Sequence, residues 1–132
     1  MTSGPEPVGT LDVALAHAEK LLVSQPGLAA EQAREILGAV PNHPAATLLL
    51  AMARRRSHDV AEALRILEPL AASQPRWPAA QRELGLALGD AGRGEEAVAA
   101  LRTAVRLQPT MADAWRALGD HLMVSCISPV GR

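Results

Sequence analysis

Several residue types are scarce in this chain, and their scarcity excludes several classes of protein. The 132 residues contain no Tyr, no Phe, one Cys and a single Lys against twelve Arg. The lone thiol, Cys126, cannot form an internal disulfide. No apolar run approaches the ~18 residues that a membrane-spanning helix needs, and no charged stretch followed by an apolar one opens the chain. We therefore expect a cytoplasmic protein, and we interpret the excess of Arg as the coding bias of a GC-rich bacterial genome.

The groups that perform chemistry are sparse as well. The 13 basic and 14 acidic side chains give a net charge of −1, which argues against nucleic acid or an anionic membrane as the main partner. The four His residues are scattered, no nucleophile has a neighbouring base, and no cluster has the ligand spacing of a metal site. A Gly-rich phosphate-binding loop is also missing. We predict a protein that is not an enzyme, with no catalytic residue, metal or cofactor.

What the sequence does contain is a period of 34 residues. Its clearest copy is the segment 78–109, in which two apolar-periodic stretches, Ala79–Ala91 and Glu95–Leu107, flank a Gly92-Arg93-Gly94 turn. This pattern predicts a helical hairpin. The residues that recur in register are three prolines and two sets of small or aliphatic residues: Pro41, Pro75 and Pro109; Ala29, Ala63 and Ala97; Ala33, Leu67 and Leu101.

The repeat resembles the tetratricopeptide repeat. The family's order of small, large and helix-breaking residues maps onto Leu84-Gly85, Leu88, Ala97, Leu101, Ala104 and Pro109, and the next unit continues with Trp115, Leu118-Gly119 and Leu122. Leucines stand where the family has aromatic rings. The resemblance implies stacked helical hairpins in which Gly85 and Gly119 let paired helices approach closely, with Ala97 facing Gly85. The stretch 112–122 also resembles the N-terminal repeat region of bacterial tetratricopeptide-repeat sulfotransferases, although this chain holds no catalytic domain.

We accordingly predict an all-α, right-handed solenoid of seven helices in three and a half repeats. The repeat domain should cover residues 10–125, in units 10–43, 44–77, 78–111 and a half unit 112–125, between a disordered lead-in (1–9) and an irregular tail (126–132). The predicted helices are 11–23, 28–39, 45–56, 60–72, 79–91, 95–107 and a seventh that ends near residue 125. Thr10 is the expected N-cap of the first helix, Asp59-x-x-Glu62 and Thr110-x-x-Asp113 are expected capping boxes, and Pro69 should bend the fourth helix.

The resemblance implies a non-catalytic adaptor that binds a protein or peptide segment in the concave groove of the repeats. Two alternatives stay open: a substrate-docking or regulatory fragment of a sulfotransferase-like enzyme, and a self-associating assembly module. The groove positions carried over from the family are Leu48, Leu49, Met52, Arg56, Arg82, Leu86, Arg116 and Asp120. Homodimer contacts at the C-terminal end would involve Leu118, Leu122 and Met123.

Two narrower expectations concern the groove. The family's carboxylate clamp, which holds chaperone C-termini, needs Asn where this chain has Met52, Leu86 and Asp120, so we do not expect that mode of binding. The run Arg54-Arg55-Arg56 has two interpretations, an anion-binding patch or cations that complement the C-terminal end of a helix dipole. We favour the second.

Overall fold

The computed structural model describes residues 7–130, and within that range the backbone forms seven α-helices and no strand. The helices are α1 (Pro7–Ser24), α2 (Pro26–Ala39), α3 (Pro44–Arg56), α4 (Val60–Ser73), α5 (Pro78–Asp90), α6 (Gly94–Leu107) and α7 (Ala112–Val130). The predicted all-α fold of helical hairpins is confirmed.

The helix boundaries follow the 34-residue period. Helices α2, α4 and α6 begin at residues 26, 60 and 94, and α3, α5 and α7 begin at residues 44, 78 and 112. Pro26, Pro44 and Pro78 occupy first helical positions, where the missing N–H would have had no intrahelical partner. The sequence period therefore sets where the helices start.

Three local predictions about the helix ends were wrong. Helix α1 begins at Pro7, so Thr10 lies inside the helix instead of capping it, and residues 7–9 are helical; residues 1–6 lie outside the described part of the chain. Helix α7 continues to Val130, so residues 126–130 do not form an irregular tail. It begins at Ala112, and the carbonyl of Met111 accepts the first helical bond from Trp115 N–H at 3.2 Å. Thr110 is thus one residue too early to cap α7.

The other predicted capping box is half formed. Asp59 Oδ1 accepts a hydrogen bond from the backbone N–H of Glu62 at 3.3 Å, as an N-cap should. The reciprocal bond is replaced, because the N–H of Asp59 donates to the carbonyl of Arg54 and the Glu62 carboxylate pairs with Arg65. Pro69 lies inside α4 as expected, where it cannot donate to the carbonyl four residues before it.

The chain packs as two compact units, Met1–Ile66 and Leu67–Arg132, and the boundary falls within α4. In the first unit, α2 packs against α1 and α3, and α1 also touches α3. Its core is built mainly from small residues: Ala18 and Leu22 on α1, Ala29, Ala30 and Ala33 on α2, and Leu49 and Ala53 on α3. Because alanine adds so little bulk, the three helix axes can approach closely.

In the second unit, α6 packs against α5 and α7, and α5 also touches α7. One cluster of its core joins α6 to α7 through Leu101, Ala104, Val105, Met111, Ala114 and Leu118. The alanines and leucines that recur in register in the sequence are buried, including Ala97 and Leu101, which are fully enclosed.

Gly85 confirms the predicted contact within the α5/α6 hairpin. A Cβ added there would lie 2.6 Å from Leu101 Cγ and 3.2 Å from the carbonyl oxygen of Ala97, distances that no side chain could occupy without displacing α6. The equivalent prediction for Gly119 was wrong, because a Cβ added there would meet no described atom within 4 Å beyond its neighbouring residues and the backbone of α7 itself.

Candidate peptide-binding face

The predicted groove residues of the first unit divide into core and surface. Leu48 and Leu49 are 7% and 4% exposed, and Leu49 belongs to the core cluster of that unit. Met52 is half-buried and packs against the same cluster. Only Arg56 is fully exposed, in the last turn of α3. The two leucines were therefore wrongly assigned as ligand contacts, since their side chains already serve the fold.

The three consecutive arginines lie where the favoured interpretation placed them. Arg54, Arg55 and Arg56 form the last turn of α3, next to the backbone carbonyls that carry the negative end of the helix dipole. A cation is stabilised at this end of a helix. The position of the run agrees with the favoured interpretation, which stays a prediction.

In the second unit, Arg82 links α5 to α7. Its guanidinium donates to Glu83 Oε2 at 3.1 Å and forms an ion pair with Asp113 Oδ2 at 3.5 Å. Glu83 is the buried charged residue of this contact, with 2% of its surface exposed, so Arg82 compensates a carboxylate that burial alone would destabilise. Arg82 Nε is itself buried and has no hydrogen-bond partner among the described residues.

Further side chains continue the same surface, which we call the α5–α7 face: Arg82, Leu86 and Gly89 on α5, and Asp113, Arg116, Asp120 and His121 on α7. Spacings of three and four residues place the members of each helix side by side. Leu86 is half-buried, whereas Arg116 and Asp120 are exposed. At the far end the His121 imidazole rests on the backbone of Gly89, where an added Cβ would lie 2.6 Å from Cε1.

The structure joins Arg82 to Asp113, and Leu86, Arg116 and Asp120 lie on the same two helices. The role of these residues in binding stays a prediction. Glu83 and Asp113 also occupy inward positions of the repeat, and the structure adds the contact between His121 and Gly89. No spacing rule pairs Arg82 with Asp113, since the two residues are 31 positions apart and meet only because α5 packs against α7. Their position in the repeat was the available signal.

Two of the residues predicted for self-association, Leu118 and Leu122, pack against α6. Leu118 is 5% exposed and packs into the α6/α7 core, so it cannot contact a second copy without unfolding. Leu122 is half-buried at the edge of the same cluster. The side chain of Met123 lies outside the described residues. Leu118 was wrongly assigned because the contact between α6 and α7 already covers it.

A second polar cluster, which the sequence reasoning missed, lies where α4, α5 and α6 meet. Arg93 donates to Glu96 at 2.6 Å and 2.8 Å and to Glu68 Oε2 at 3.1 Å. The hydrogen bonds that Arg93 donates to the Glu96 carboxylate raise the pKa of Arg93 and lower the pKa of Glu96. The three-residue spacing of Arg93 and Glu96 could have predicted the ion pair between them, but not the contact with Glu68.

Glu68 and Glu96 also line an open pocket of about 330 Å³. The remaining lining residues are Gln81, Leu84, Leu88, Ala99, Ala100 and Thr103. Gln81 takes the place that Trp115 has one repeat later, and it makes the same hydrogen bond. Its side-chain amide donates to the carbonyl of Pro75 at 3.2 Å, just as the Trp115 indole donates to the carbonyl of Pro109 at 2.7 Å.

No group of three or more His, Cys, Asp or Glu in the described part of the chain is arranged to hold a metal ion. None of the helices in the described range combines the length and the apolar character needed to cross a membrane.

Solved structures with the same fold share little sequence with this chain. MamA (41-end) from Desulfovibrio magneticus RS-1 superposes with a TM-score of 0.74 at 22% identity over 87% of this chain and 66% of that one, so this chain spans just under two thirds of its length. The first TPR domain of human RPAP3 gives 0.80 at 18% identity over 92% and 97%. The first TPR of Spaghetti (RPAP3), bound to the HSP90 peptide SRMEEVD, gives 0.77 at 19% identity over 88% and 93%.

The family follows from the sequence itself. Among curated proteins no sequence matches the chain, but the family model of the tetratricopeptide repeat matches residues 48–110 and 82–124. Together these matches run from residue 48 to residue 124, more than half of the chain. The protein belongs to the tetratricopeptide repeat family.

Proposed function

We propose that the protein is a non-catalytic adaptor that binds a protein or peptide segment through the α5–α7 face. The observation that carries this proposal is the arrangement around Arg82. A partly buried guanidinium with one unpartnered nitrogen shares a loose 3.5 Å contact with Asp113, which is half exposed. An incoming carboxylate could replace Asp113 as the partner of Nη1 of Arg82.

The neighbouring side chains define the ligand further. Arg116 is exposed one turn from Asp113 and offers a second cation, and Leu86 offers apolar surface between Arg82 and Gly89. A segment with an acidic side chain and an aliphatic anchor fits these groups, because the anchor supplies affinity and the charge supplies register. Since Leu48 and Leu49 are buried, Leu86 takes over the apolar role that the sequence had assigned to them.

The binding of an HSP90 peptide by the first TPR of Spaghetti (RPAP3) supports peptide binding as a property of this kind of fold. It does not carry over as a partner, because this chain has Met52, Leu86 and Asp120 where the family's carboxylate clamp needs Asn. A docking role beside a sulfotransferase, a homodimer and a cytoplasmic location all remain predictions of the sequence.

The test uses seven-residue peptides with a central Leu flanked by two Glu, two Gln or two Lys. Binding is mapped by backbone amide chemical shifts of the labelled protein. We expect the Glu peptide to bind most tightly, with shifts on α5 and α7, and Arg116→Glu to lower its affinity about 2- to 5-fold, the scale of an exposed ion pair. Asp113→Asn should raise the affinity, because it removes the competitor for Arg82.

Arg76→Glu is the matched control. Arg76 is exposed in the turn before α5, so the substitution changes the net charge equally but leaves the α5–α7 face intact. If Arg76→Glu and Arg116→Glu lowered the affinity equally, the loss would be explained by the change in net charge and not by a contact with Arg116. Shifts that map away from α5 and α7 would place the ligand elsewhere and defeat the proposal.

A further inference from the structure

We propose that a second surface, the strip of α7 formed by Trp115, Gly119 and Leu122, binds an added amphipathic helix with the pattern acidic-x3-Ala-x3-Leu. This surface is separate from the α5–α7 face and does not depend on the function proposed for it. The occupant is inferred from the way the chain packs its own helices one repeat earlier.

The α5/α6 hairpin supplies the template for the small and large residues of the pattern. Gly85 is the equivalent of Gly119, and its bare backbone takes the Leu101 side chain and the Ala97 carbonyl of α6. At Gly119 the corresponding space, within 4 Å of an added Cβ, holds no described atom beyond the neighbouring residues and the backbone of α7 itself. Trp115, one turn before Gly119, is 49% exposed. A helix with Ala and Leu four residues apart would fit against Gly119 as α6 fits against Gly85.

The acidic residue of the proposed pattern is inferred from charge complementarity with α6. In the template, Glu68 on α4 pairs with Arg93 at the start of α6, four residues before Ala97. One repeat later the place of Glu68 is taken by Arg102, which is exposed and forms no ion pair with the residues that the structure describes. An incoming helix in the place of α6 would meet a cation instead of a carboxylate. It should therefore carry Asp or Glu where α6 has Arg93.

The first repeats show the same reversal in the sequence. Arg34 and Asp59 occupy the places of Glu68 and Arg93 with the charges exchanged, although in the structure Asp59 Oδ1 is used to cap α4. Helix α4 thus opens with the acidic-x3-Ala-x3-Leu pattern, as Asp59, Ala63 and Leu67.

A second folded copy is not the occupant that we infer. The Ala faces of its own helices are already used, because Ala29, Ala63 and Ala97 are fully buried. A partner helix that presents this pattern on its surface meets the requirement without unfolding either molecule.

The experiment uses two synthetic peptides with the sequence of residues 92–107, one native and one carrying Arg93→Glu. Both peptides also carry Ala99→Lys, and a lactam bridge between Glu95 and the lysine at position 99 holds them helical. Binding of each labelled peptide to the full chain is measured by fluorescence polarisation. We expect the Arg93→Glu peptide to bind about 2- to 5-fold more tightly than the native one, the range of an exposed ion pair, and Arg102→Glu in the protein to invert that preference.

Gly119→Leu is the blocking variant, and it should abolish binding of both peptides. Its fold is checked by circular dichroism, because the open space at Gly119 predicts that the variant stays folded. The proposal would be overturned if either peptide still bound the Gly119→Leu variant, or if neither peptide bound at millimolar concentration. It would also be overturned if the two peptides bound with equal affinity and Arg102→Glu did not change this. Light scattering that shows a dimer lost in Gly119→Leu would assign the strip to a second copy and overturn it as well.

Discussion

Gly85 and Gly119 allow one substitution to be compared in two environments. They occupy the same position of consecutive repeats, on α5 and α7, but a Cβ added at Gly85 would meet Leu101 and Ala97 of α6, whereas one added at Gly119 would meet nothing. Replacing each by Ala therefore separates the intrinsic helix preference from the packing of the hairpin.

At Gly85 the gain in helix preference and the cost of overpacking oppose each other. At Gly119 only the gain in helix preference applies. In a helix interior Ala is favoured over Gly by about 0.8–1.0 kcal/mol, so Gly119→Ala should raise the free energy of unfolding by about that amount. Gly85→Ala gains the same preference but adds a methyl group 2.6 Å from Leu101 Cγ. Leu101 is fully buried and has little room to move, and overpacking of this kind costs about 1–3 kcal/mol. The net effect at Gly85 is a loss of up to about 2 kcal/mol.

Urea unfolding followed by tryptophan fluorescence is the appropriate assay. Both tryptophans, Trp77 and Trp115, lie in the second compact unit, so the signal reports the unit that holds both glycines. The difference between the two variants should be about 1–3 kcal/mol. If Gly85→Ala stabilised the chain as much as Gly119→Ala, the close approach of α5 and α6 and the repeat register built on it would both be refuted.

Three further substitutions test local features. His58 has a φ of 67°, a left-handed conformation that is unfavourable for a residue with a Cβ, so His58→Gly should raise the thermal midpoint; a lower midpoint would contradict the strain. Gln81→Trp should stabilise by about 1 kcal/mol in urea unfolding, because the ring would fill the pocket and keep the hydrogen bond that Trp115 makes; destabilisation would refute it. The hydrogen bond from Arg93 lowers the pKa of Glu96, so its stabilising effect is present above the unfolded-state pKa and is lost as the pH falls through the folded-state pKa. A carboxyl NMR titration should show that pKa rising in Arg93→Gln, and an unchanged value would exclude the ion pair in solution.

The fold was predictable because its determinants are local and repeated. The prolines Pro44 and Pro78 at first helical positions are 34 residues apart, as are fully buried alanines such as Ala63 and Ala97, so an error at one position is corrected by its equivalents. The first and last helices depart from the prediction, where only one neighbouring repeat constrains the pattern. Helix α1 starts before Thr10, and α7 starts one residue later than a cap at Thr110 would require.

The binding face was less predictable, because family positions specify the face of a helix and not the depth at which a side chain ends. Consecutive helical residues are about 100° apart, so a run such as Leu48-Leu49-Leu50 cannot all face one groove, and the core takes the side chains that point to it. Charged residues escape this ambiguity, since burying them unpaired costs too much. Arg116 and Asp120 are accordingly exposed at the positions that the repeat predicts. Arg82 is mostly buried, but it is paired with the buried carboxylate of Glu83. Charged repeat positions are therefore better guides to a ligand surface in this fold than apolar ones.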